Sequence, residues 1–151
     1  MSRPLRILLV NKAYPPHIGG IETLVRQYAR YFQTQFSAEV QVLVCQEKGK
    51  TARETIEGVP VLRAGRIGTY FSCPLSGSFL RYFRKYAKQA DVVMIHMPFP
   101  LADLACLLSG YRGRVVLAWH SDVIKQKTLL RFYAPLLRWL LRRADCILTA
   151  T

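Results

Sequence analysis

Three histidines are the side chains in this sequence best suited to chemistry, because each lies near or beyond the end of a short apolar run typical of a strand. His17 lies in the loop after the first run, His96 near the end of the fourth, and His120 immediately after the fifth. Ligands of open α/β sheets bind at the carboxyl ends of the strands, so we expect these imidazoles to converge on one site. The alternative for each histidine is a structural role, capping a strand or packing within a loop.

A glycine-containing loop, residues 11–20, joins the first predicted strand to a helix and offers a second kind of chemistry. Its sequence is NKAYPPHIGG, and Gly19 and Gly20 stand directly before the helical pattern. Exposed backbone N–H groups and the positive end of the helix dipole favour a phosphate there. The loop contains neither GxGxxG nor GxxxxGK[ST], which disfavours an NAD enzyme and a P-loop NTPase. The two glycines could also form no more than a tight turn.

Two other kinds of site are disfavoured by spacing. A zinc site made of the three histidines would draw its ligands from separate loops, and the sequence has no HExxH or Cys/His spacing, so no metal is expected. A serine hydrolase is also disfavoured, because Ser121 adjoins His120 in sequence and no GxSxG motif is present. Beyond His120, Asp122 suits a helix N-cap, and Lys127 could reach a phosphate or an acceptor.

The predicted strands and helices alternate along the chain. Several strand-like runs are continuously apolar, as in parallel strands buried on both faces. The runs are Arg6–Val10, Val40–Cys45, Val59–Leu62, Val92–Met97, Val115–Trp119 and Cys146–Thr149. Helical spacing follows Gly20 and recurs near 77–89, 101–110 and 125–143, with Pro135 expected to kink or split the last helix. This pattern predicts a Rossmann-like, doubly wound α/β fold with a mainly parallel sheet and helices on both faces, and it leaves the strand order open.

Composition narrows the class of protein. The chain has 151 residues, half of them hydrophobic, which is enough for the core of one domain. Its 22 Lys and Arg against 9 Asp and Glu give a net charge of +13, which indicates a polyanionic partner: nucleic acid, an anionic membrane face or a phosphorylated small molecule. Four cysteines without a CxxC pair, three of them within apolar segments, predict buried reduced thiols and a cytosolic location. No apolar stretch approaches the roughly 18 residues of a membrane-spanning helix.

Three segments, PPHIGGIE, HMPFPLADLA and WHSDVIKQK, resemble in order and spacing the amino-terminal domain of family 4 glycosyltransferases of the GT-B fold. The resemblance extends from Arg6 to Thr151. It implies that residues 1–151 form a single Rossmann-like domain on the acceptor side of a larger enzyme. The C-terminal domain of such an enzyme, which binds most of the nucleotide sugar, is absent from this chain. The chain ends directly after an apolar strand, as in a truncation, and we expect the isolated domain to be inactive.

The resemblance also implies a role for each candidate site residue. Gly19 and Gly20 would bring their amides to the donor diphosphate, and His120 would act as the catalytic histidine that faces the donor sugar, positioning the transition state without nucleophilic attack. The candidate contacts to an acceptor or a phosphate are His17, His96 and Lys127. Enzymes of this family retain the anomeric configuration and usually need no metal or other cofactor. We therefore expect transfer of a hexosyl group from a nucleotide-sugar donor to a lipid-linked or cell-envelope glycan acceptor.

A basic, aromatic segment at residues 78–88, SFLRYFRKYAK, suits a membrane headgroup interface. Many related enzymes act at the cytoplasmic membrane, so our hypothesis is a cytoplasmic protein with peripheral association at the inner membrane face. A solvated helix with its aromatic face in the core explains the same residues. Two other functions stay open: a basic module that binds nucleic acid or another polyanion, and a GT-B sugar-nucleotide epimerase. No RNA-binding signature is present, so no specific nucleic acid is expected as a partner.

Overall fold

Residues 2–70, 73–120 and 127–149 are described by the computed structural model of the protein, and strands and helices alternate along them. The strands are β1 (Arg6–Val10), β2 (Glu39–Cys45), β3 (Ala52–Ile56), β4 (Val59–Ala64), β5 (Gly68–Tyr70), β6 (Cys73–Leu75), β7 (Val92–Met97), β8 (Arg114–Trp119) and β9 (Cys146–Thr149). The helices are α1 (Gly20–Phe36), α2 (Gly77–Ala87), α3 (Pro100–Ser109) and α4 (Lys127–Arg143). Each of the six predicted strands is confirmed.

Seven strands form the central sheet, in the order β3-β4-β2-β1-β7-β8-β9. Neighbouring strands from β4 to β9 are parallel, and β3 alone among the described strands of this sheet is antiparallel to its neighbour, β4. The short strands β5 and β6 pair separately as an antiparallel ribbon. The mainly parallel sheet expected from the apolar runs is therefore confirmed, with one added antiparallel strand at the edge.

The sheet is covered on both faces, as expected for a doubly wound fold. Side chains alternate along β1, so that Leu8 and Val10 enter one hydrophobic cluster whereas Ile7 and Leu9 enter another. The first cluster includes buried residues of α2, α3 and α4, and the second includes buried residues of α1. One helix therefore lies on one face and three helices lie on the other.

Local sequence explains where the helices begin and end. The Ser76 hydroxyl accepts a hydrogen bond of 3.1 Å from the Phe79 N–H and caps α2. Pro100 occupies the first turn of α3, where its missing N–H costs nothing, and Gly110 ends the helix with a φ of 64°. Helix α4 continues through Pro135, so the prediction that this proline would split the helix is wrong. Pro135 is exposed, and the sheet-facing side of α4 runs on past it.

Helix α2 settles how the basic, aromatic segment 78–88 is arranged. Phe79 and Phe83 are fully buried in the core, whereas Arg81, Arg84 and Lys85 are exposed. The solvated helix with a buried aromatic face is therefore confirmed. The two phenylalanines cannot enter a membrane interface while they fill the core, so the part of the membrane hypothesis that used the aromatics of this segment is wrong.

Two predictions from composition can also be compared with the fold. Cys45 and Cys106 are buried free thiols, as expected, but Cys146 is exposed on β9. Burial raises the pKa of Cys45 to about 12 and that of Cys106 to about 11, which keeps both thiols protonated and unreactive. Within the described parts of the chain, no helix has the length and hydropathy needed to cross a membrane.

Candidate active site

The carboxyl ends of β1, β7 and β8 carry the glycine loop and the histidines. Because β1 lies between β2 and β7, the direction in which the chain adds strands reverses between β1 and β7. Such a reversal leaves a crevice at the carboxyl ends of the strands, where doubly wound folds bind ligands. The register of the next pair places Met97 of β7 beside Trp119 of β8, so His120 lies level with the end of β7.

His96 and His120 are joined by a direct hydrogen bond, with 2.8 Å between His96 Nδ1 and His120 Nε2. The two ring planes differ by 3° and the ring centroids are 5.1 Å apart. The backbone N–H of His120 also donates to the Met97 carbonyl at 3.3 Å, which fixes the start of the loop. His96 is 1% exposed, whereas His120 is half-buried. His120 is therefore the ring of this pair that a ligand can reach.

Burial keeps both imidazoles neutral at physiological pH. For His96, removal from water is the main cause that lowers the pKa to about 3, and the neighbouring His120 adds to the effect. Burial also lowers the pKa of His120 below its usual value. A neutral imidazole has one N–H donor and one bare nitrogen acceptor. The pair can consequently present a single, oriented hydrogen-bond donor or acceptor without carrying a charge.

His17 lies apart from this hydrogen bond and faces two carboxylates. His17 Nδ1 is 3.7 Å from Glu22 Oε1, and His17 Nε2 is 3.7 Å from Glu47 Oε1. Its side chain is exposed. The convergence predicted for three histidines is thus observed as a hydrogen bond for His96 and His120, while His17 occupies the rim of the glycine loop.

The two glycines of the loop differ in what surrounds them. A Cβ on Gly19 would overlap the carboxylate at the end of the flexible Glu22 side chain, which would have to turn aside. A Cβ on Gly20 would meet nothing within 4 Å. Gly20 is the first residue of α1, and its surroundings are open to a ligand at the positive end of the helix dipole.

The glycine loop is held in place from several sides. The Asn11 side chain donates to the Ala13 carbonyl at 2.8 Å. Arg63 of β4 donates to the Tyr14 carbonyl at 3.1 Å and also to the Pro15 carbonyl. Tyr14 itself is 1% exposed. These contacts fix the path of the chain between β1 and the exposed residues at positions 16–18, so the backbone before the two glycines is ordered in advance of any ligand.

Comparison with known sequences identifies the family. Residues 18–151 match the sequence family described as Glycosyltransferase Family 4. The chain belongs to this family. The match includes Gly19, Gly20, His96 and His120, and the mainly parallel sheet found here is that of the amino-terminal domain of a GT-B fold.

Two curated relatives of this family 4 domain are similar over 148 residues. One is the O-antigen chain mannosyltransferase C of Escherichia coli, 30% identical over 97% of this chain and 40% of its own length. The other is the D-rhamnosyltransferase WbpZ of Pseudomonas aeruginosa, 32% identical over 97% of this chain and 39% of its own length. The chain therefore spans about two fifths of the curated relatives that it matches.

Solved structures confirm the fold of the family 4 domain. A sucrose-phosphate synthase from Thermosynechococcus elongatus superposes with a TM-score of 0.63 at 13% identity, covering 95% of this chain and 41% of that one. An α,α-trehalose 6-phosphate synthase from Burkholderia multivorans gives a TM-score of 0.54 at 12% identity, covering 97% and 39%. At such low identity these similarities establish the shared architecture alone.

The family 4 domain also contains a buried acid that the sequence did not single out. Asp103, in the first turn of α3, is fully buried and accepts a hydrogen bond from the Tyr133 hydroxyl of α4. Burial raises the pKa of Asp103 to about 8, although the positive charge of Lys12 acts in the opposite direction. The second oxygen, Oδ1, has no hydrogen-bond partner in the described part of the chain. At neutral pH this side chain is therefore mainly an uncharged carboxylic acid.

Sequence reasoning missed Asp103, Tyr133 and Arg63 for different reasons. Asp103 looked like an ordinary first-turn acid, and nothing local indicated that α4 would cover it. Arg63 gave a signal, because it interrupts the apolar run that forms β4. Of the residues proposed from the sequence, Ser121 and Asp122 lie outside the described residues. Lys127 begins α4, and the described structure does not extend to its side chain.

Proposed function

We propose that the protein transfers a hexosyl group from a nucleotide-sugar donor to a glycan acceptor, with this domain on the acceptor side. The observation that carries the proposal is the neutral His96–His120 pair at the carboxyl ends of β7 and β8, in a domain of glycosyltransferase family 4. Gly20, at the open N-terminus of α1, supports a site for the diphosphate beside the same crevice.

The diphosphate gains negative charge as the bond to the sugar breaks, and α1 supplies the complement. The first backbone N–H groups of the helix have no partners within it, and the dipole places partial positive charge at this end. Gly20 leaves room for phosphate oxygens to approach the backbone. Donors that are fixed before the reaction stabilise the developing charge without reorganisation. The amide of Gly19, directly before the helix, would contact the same diphosphate, with the end of the flexible Glu22 side chain turning aside.

His120 orients the donor sugar in this mechanism. A half-buried, neutral imidazole can hydrogen-bond a sugar hydroxyl beside the anomeric carbon without adding a positive charge that would oppose an oxocarbenium-like transition state. The acceptor oxygen bonds to the anomeric carbon on the face from which the diphosphate departs. This same-face attack retains the configuration, and the acceptor proton passes to the departing phosphate oxygen. No metal or cofactor is part of this proposal.

The named relatives guide the choice of substrates. One is named a mannosyltransferase of the O-antigen chain, and the other a D-rhamnosyltransferase. Both names specify transfer of a six-carbon sugar, and the first specifies a cell-envelope polysaccharide. We therefore propose a hexosyl or deoxyhexosyl donor and a lipid-linked or cell-envelope glycan as acceptor.

We also propose that a C-terminal domain completes the enzyme. This chain spans about 40% of the mannosyltransferase, so a C-terminal domain would hold the nucleotide and close over the donor. Residues 1–151 alone would then lack the groups that bind the base and exclude water from the reaction. We expect the isolated domain to be inactive, and His17 and Lys127 to contact a phosphate or an acceptor in the closed enzyme.

A basic ridge on α4 supports a place at the cytoplasmic face of a membrane. We define this ridge as Arg131, Phe132, Arg138 and Arg142, all of them exposed, with Phe132 at 77%. Three arginines attract anionic headgroups, and a phenylalanine beside them can enter the interface. In the membrane hypothesis, this ridge replaces the aromatic residues of segment 78–88 as the contact with headgroups. Binding through the ridge would bring the His96–His120 pair close to a lipid-linked acceptor.

The net charge of +13 favours one alternative, a module that binds nucleic acid or another polyanion without catalysis. The two functions are separated by incubating the full-length protein with a panel of nucleotide sugars and a membrane extract. Consumption of one donor, with the same anomeric configuration in product and donor by NMR, is the expected result. Inverted product would contradict retention. Survival of every donor, together with salt-dependent binding to arbitrary oligonucleotides, would favour the polyanion-binding module.

A further inference from the structure

The geometry of the histidine pair specifies a straight hydrogen bond between two rings in one plane. His96 Nδ1 and His120 Nε2 are 2.8 Å apart, the ring planes differ by 3°, and the centroids are 5.1 Å apart. Two imidazoles reach this centroid separation at this N···N distance when each nitrogen points directly at the other. One of the two nitrogens must carry the proton, and the other must accept it.

The environment of His96 decides which nitrogen carries the proton. His96 Nε2 is buried and has no hydrogen-bond partner among the described residues. If His120 were the donor, neutral His96 would carry its own proton on Nε2, leaving a buried N–H without an acceptor. If His96 donates from Nδ1, its Nε2 is a bare nitrogen instead. A buried N–H without an acceptor is rarer in folded proteins than a buried acceptor without a donor, so donation from His96 is favoured.

His96 is also held so that its ring cannot turn away. It belongs to β7, is 1% exposed, and packs against Tyr28 of α1 with ring centroids 5.8 Å apart. His120 is half-buried and follows β8. In the described structure no hydrogen bond joins His120 Nδ1 to another residue. The half-buried His120 therefore accepts a hydrogen bond from the buried His96, and its second nitrogen stays available.

We propose that His96 is a positioning residue that fixes the tautomer of His120, so that His120 presents an Nδ1–H donor to the sugar. The proposal deepens the proposed function and rests on it for the identity of the ligand. In water the Nε2–H form of a neutral histidine is the more abundant tautomer. His96 reverses this preference, because its Nδ1–H donates a hydrogen bond to His120 Nε2. The proton of His120 itself then lies on Nδ1. His96 then acts through His120 and needs no contact of its own with the acceptor.

The tautomer can be measured without any substrate. Histidine-selective ¹⁵N labelling of the full-length protein, with His120 assigned by comparison with the His120→Ala variant, distinguishes a protonated from a bare ring nitrogen at neutral pH. We expect His120 Nδ1 to be protonated and Nε2 to be bare in the unmodified protein. Protonation of His120 on Nε2 would overturn the proposal, whatever the enzyme turns out to transfer.

Two substitutions at His96 separate positioning from packing. Asn in His96→Asn places an amide N–H₂ close to the position of Nδ1 and can still donate to His120, whereas His96→Leu fills much of the space and removes the donor. We expect the Asn variant to keep the Nδ1–H tautomer of His120. We expect the Leu variant to return toward the Nε2–H form while its folded circular dichroism spectrum is unchanged. An unaltered tautomer in a folded Leu variant would contradict the proposal.

Turnover supplies the functional readout for the same variants. Loss of the group that orients a metal-bound histidine typically costs about 10-fold to 100-fold in activity, and we expect the same range for this metal-free pair. We expect His96→Leu to lower kcat within that range while the KM for the donor changes less than about two-fold, and His96→Asn to recover most of kcat. Equal turnover in the Leu variant and the unmodified enzyme would contradict the positioning role of His96. If no donor is turned over at all, the proposed function fails, and the NMR result still decides the tautomer.

Discussion

His120 is half-buried at the end of β8, and its Nε2 is occupied by His96. A single ring nitrogen, Nδ1, therefore remains for a ligand. His17 has the opposite character, because it is exposed and faces two carboxylates at the rim of the glycine loop. Burial thus distinguishes the two histidines: His120 is an oriented neutral donor, whereas His17 is an exposed group that faces charged side chains.

Gly20 gives a prediction at the scale of the residue. Gly20→Ala adds a methyl group to open space, so the free energy of unfolding should not fall. The same methyl group should hinder the donor diphosphate and raise its KM by roughly 10-fold, equivalent to about 1.4 kcal/mol of binding. Steady-state kinetics and urea denaturation of the full-length enzyme measure both quantities.

Gly77→Ala is the matched control for Gly20→Ala. Gly77 is also the first residue of a helix, α2, and a Cβ there would meet nothing within 4 Å, so we expect unchanged stability and an unchanged KM for the donor. A Gly20→Ala enzyme that binds its donor with unchanged KM would show that this end of α1 does not contact the diphosphate.

Sequence anticipated the chemistry of single residues only in part. The strand-end positions of His96 and His120 were visible because an apolar run ends at each of them. Their 2.8 Å contact was not, since it depends on β7 and β8 being neighbours in a particular register. The proximity of the Glu22 carboxylate to Gly19 could not be predicted from the sequence either, because it depends on the rotamer of Glu22.

At the scale of elements, Asp103 links α3 to α4 through the Tyr133 hydroxyl. Folding raises the pKa of Asp103 from 3.8 to about 8, so between these values the folded state holds a proton that the unfolded state has lost. The stability contributed by the protonated acid is complete below the unfolded pKa and is lost as pH rises through the folded pKa. His96 has a depressed pKa and acts in the opposite direction, but only below its unfolded value of 6.5.

Asp103→Asn tests this linkage between pH 6.5 and 8. The unmodified domain should lose about 1 to 2 kcal/mol of unfolding free energy across this window, at a slope near 1.4 kcal/mol per pH unit for one proton. The Asn variant can still accept from Tyr133 and should show a much flatter profile. Chemical denaturation at several pH values measures the slope, and Tyr133→Phe is the control that removes the hydrogen bond while leaving the acid. Parallel profiles for Asp103→Asn and the unmodified domain would refute a raised pKa.

The strands that sequence predicted are short, mostly apolar runs, and all six are present. The helices were predicted from helical spacing, and a helix lies at each of the four predicted places. β3 was missed because its residues, ARETI, are mostly exposed at the edge of the sheet, where no apolar pattern is needed. The prediction that Pro135 would split α4 was also wrong, because the proline lies at an exposed position and the helix continues through it.

At the scale of the whole molecule, the excess of positive charge is the property that the fold does not require. The basic ridge on α4 predicts sedimentation with vesicles that contain anionic lipid at low salt, and loss of sedimentation at high salt. Replacing Arg131, Arg138 and Arg142 with Gln should weaken binding by roughly 100-fold, at about 1 kcal/mol per arginine. Quantitative vesicle sedimentation provides the measurement.

A variant of equal charge loss provides the control for the basic ridge. Arg30 is exposed on α1, on the opposite face of the sheet from α4, and Lys48 and Lys50 are exposed between β2 and β3, far from β8 and β9 in the strand order. Replacing these three with Gln should leave most of the vesicle binding intact. Equal losses in the two triple variants would indicate non-specific attraction by net charge, and no sedimentation in either the unmodified protein or its variants would refute membrane association.

The measurement that tests the central claim most directly is sugar transfer by the full-length protein and its His120→Ala variant, with Arg30→Ala on the exposed surface of α1 as a control. If His120 orients the donor sugar, its loss should lower kcat by about 100-fold or more, the scale seen when a preorganised hydrogen-bond donor is removed from an active site. Arg30→Ala should retain most of the activity. Transfer at the unmodified rate by a folded His120→Ala enzyme would contradict the assignment of this site.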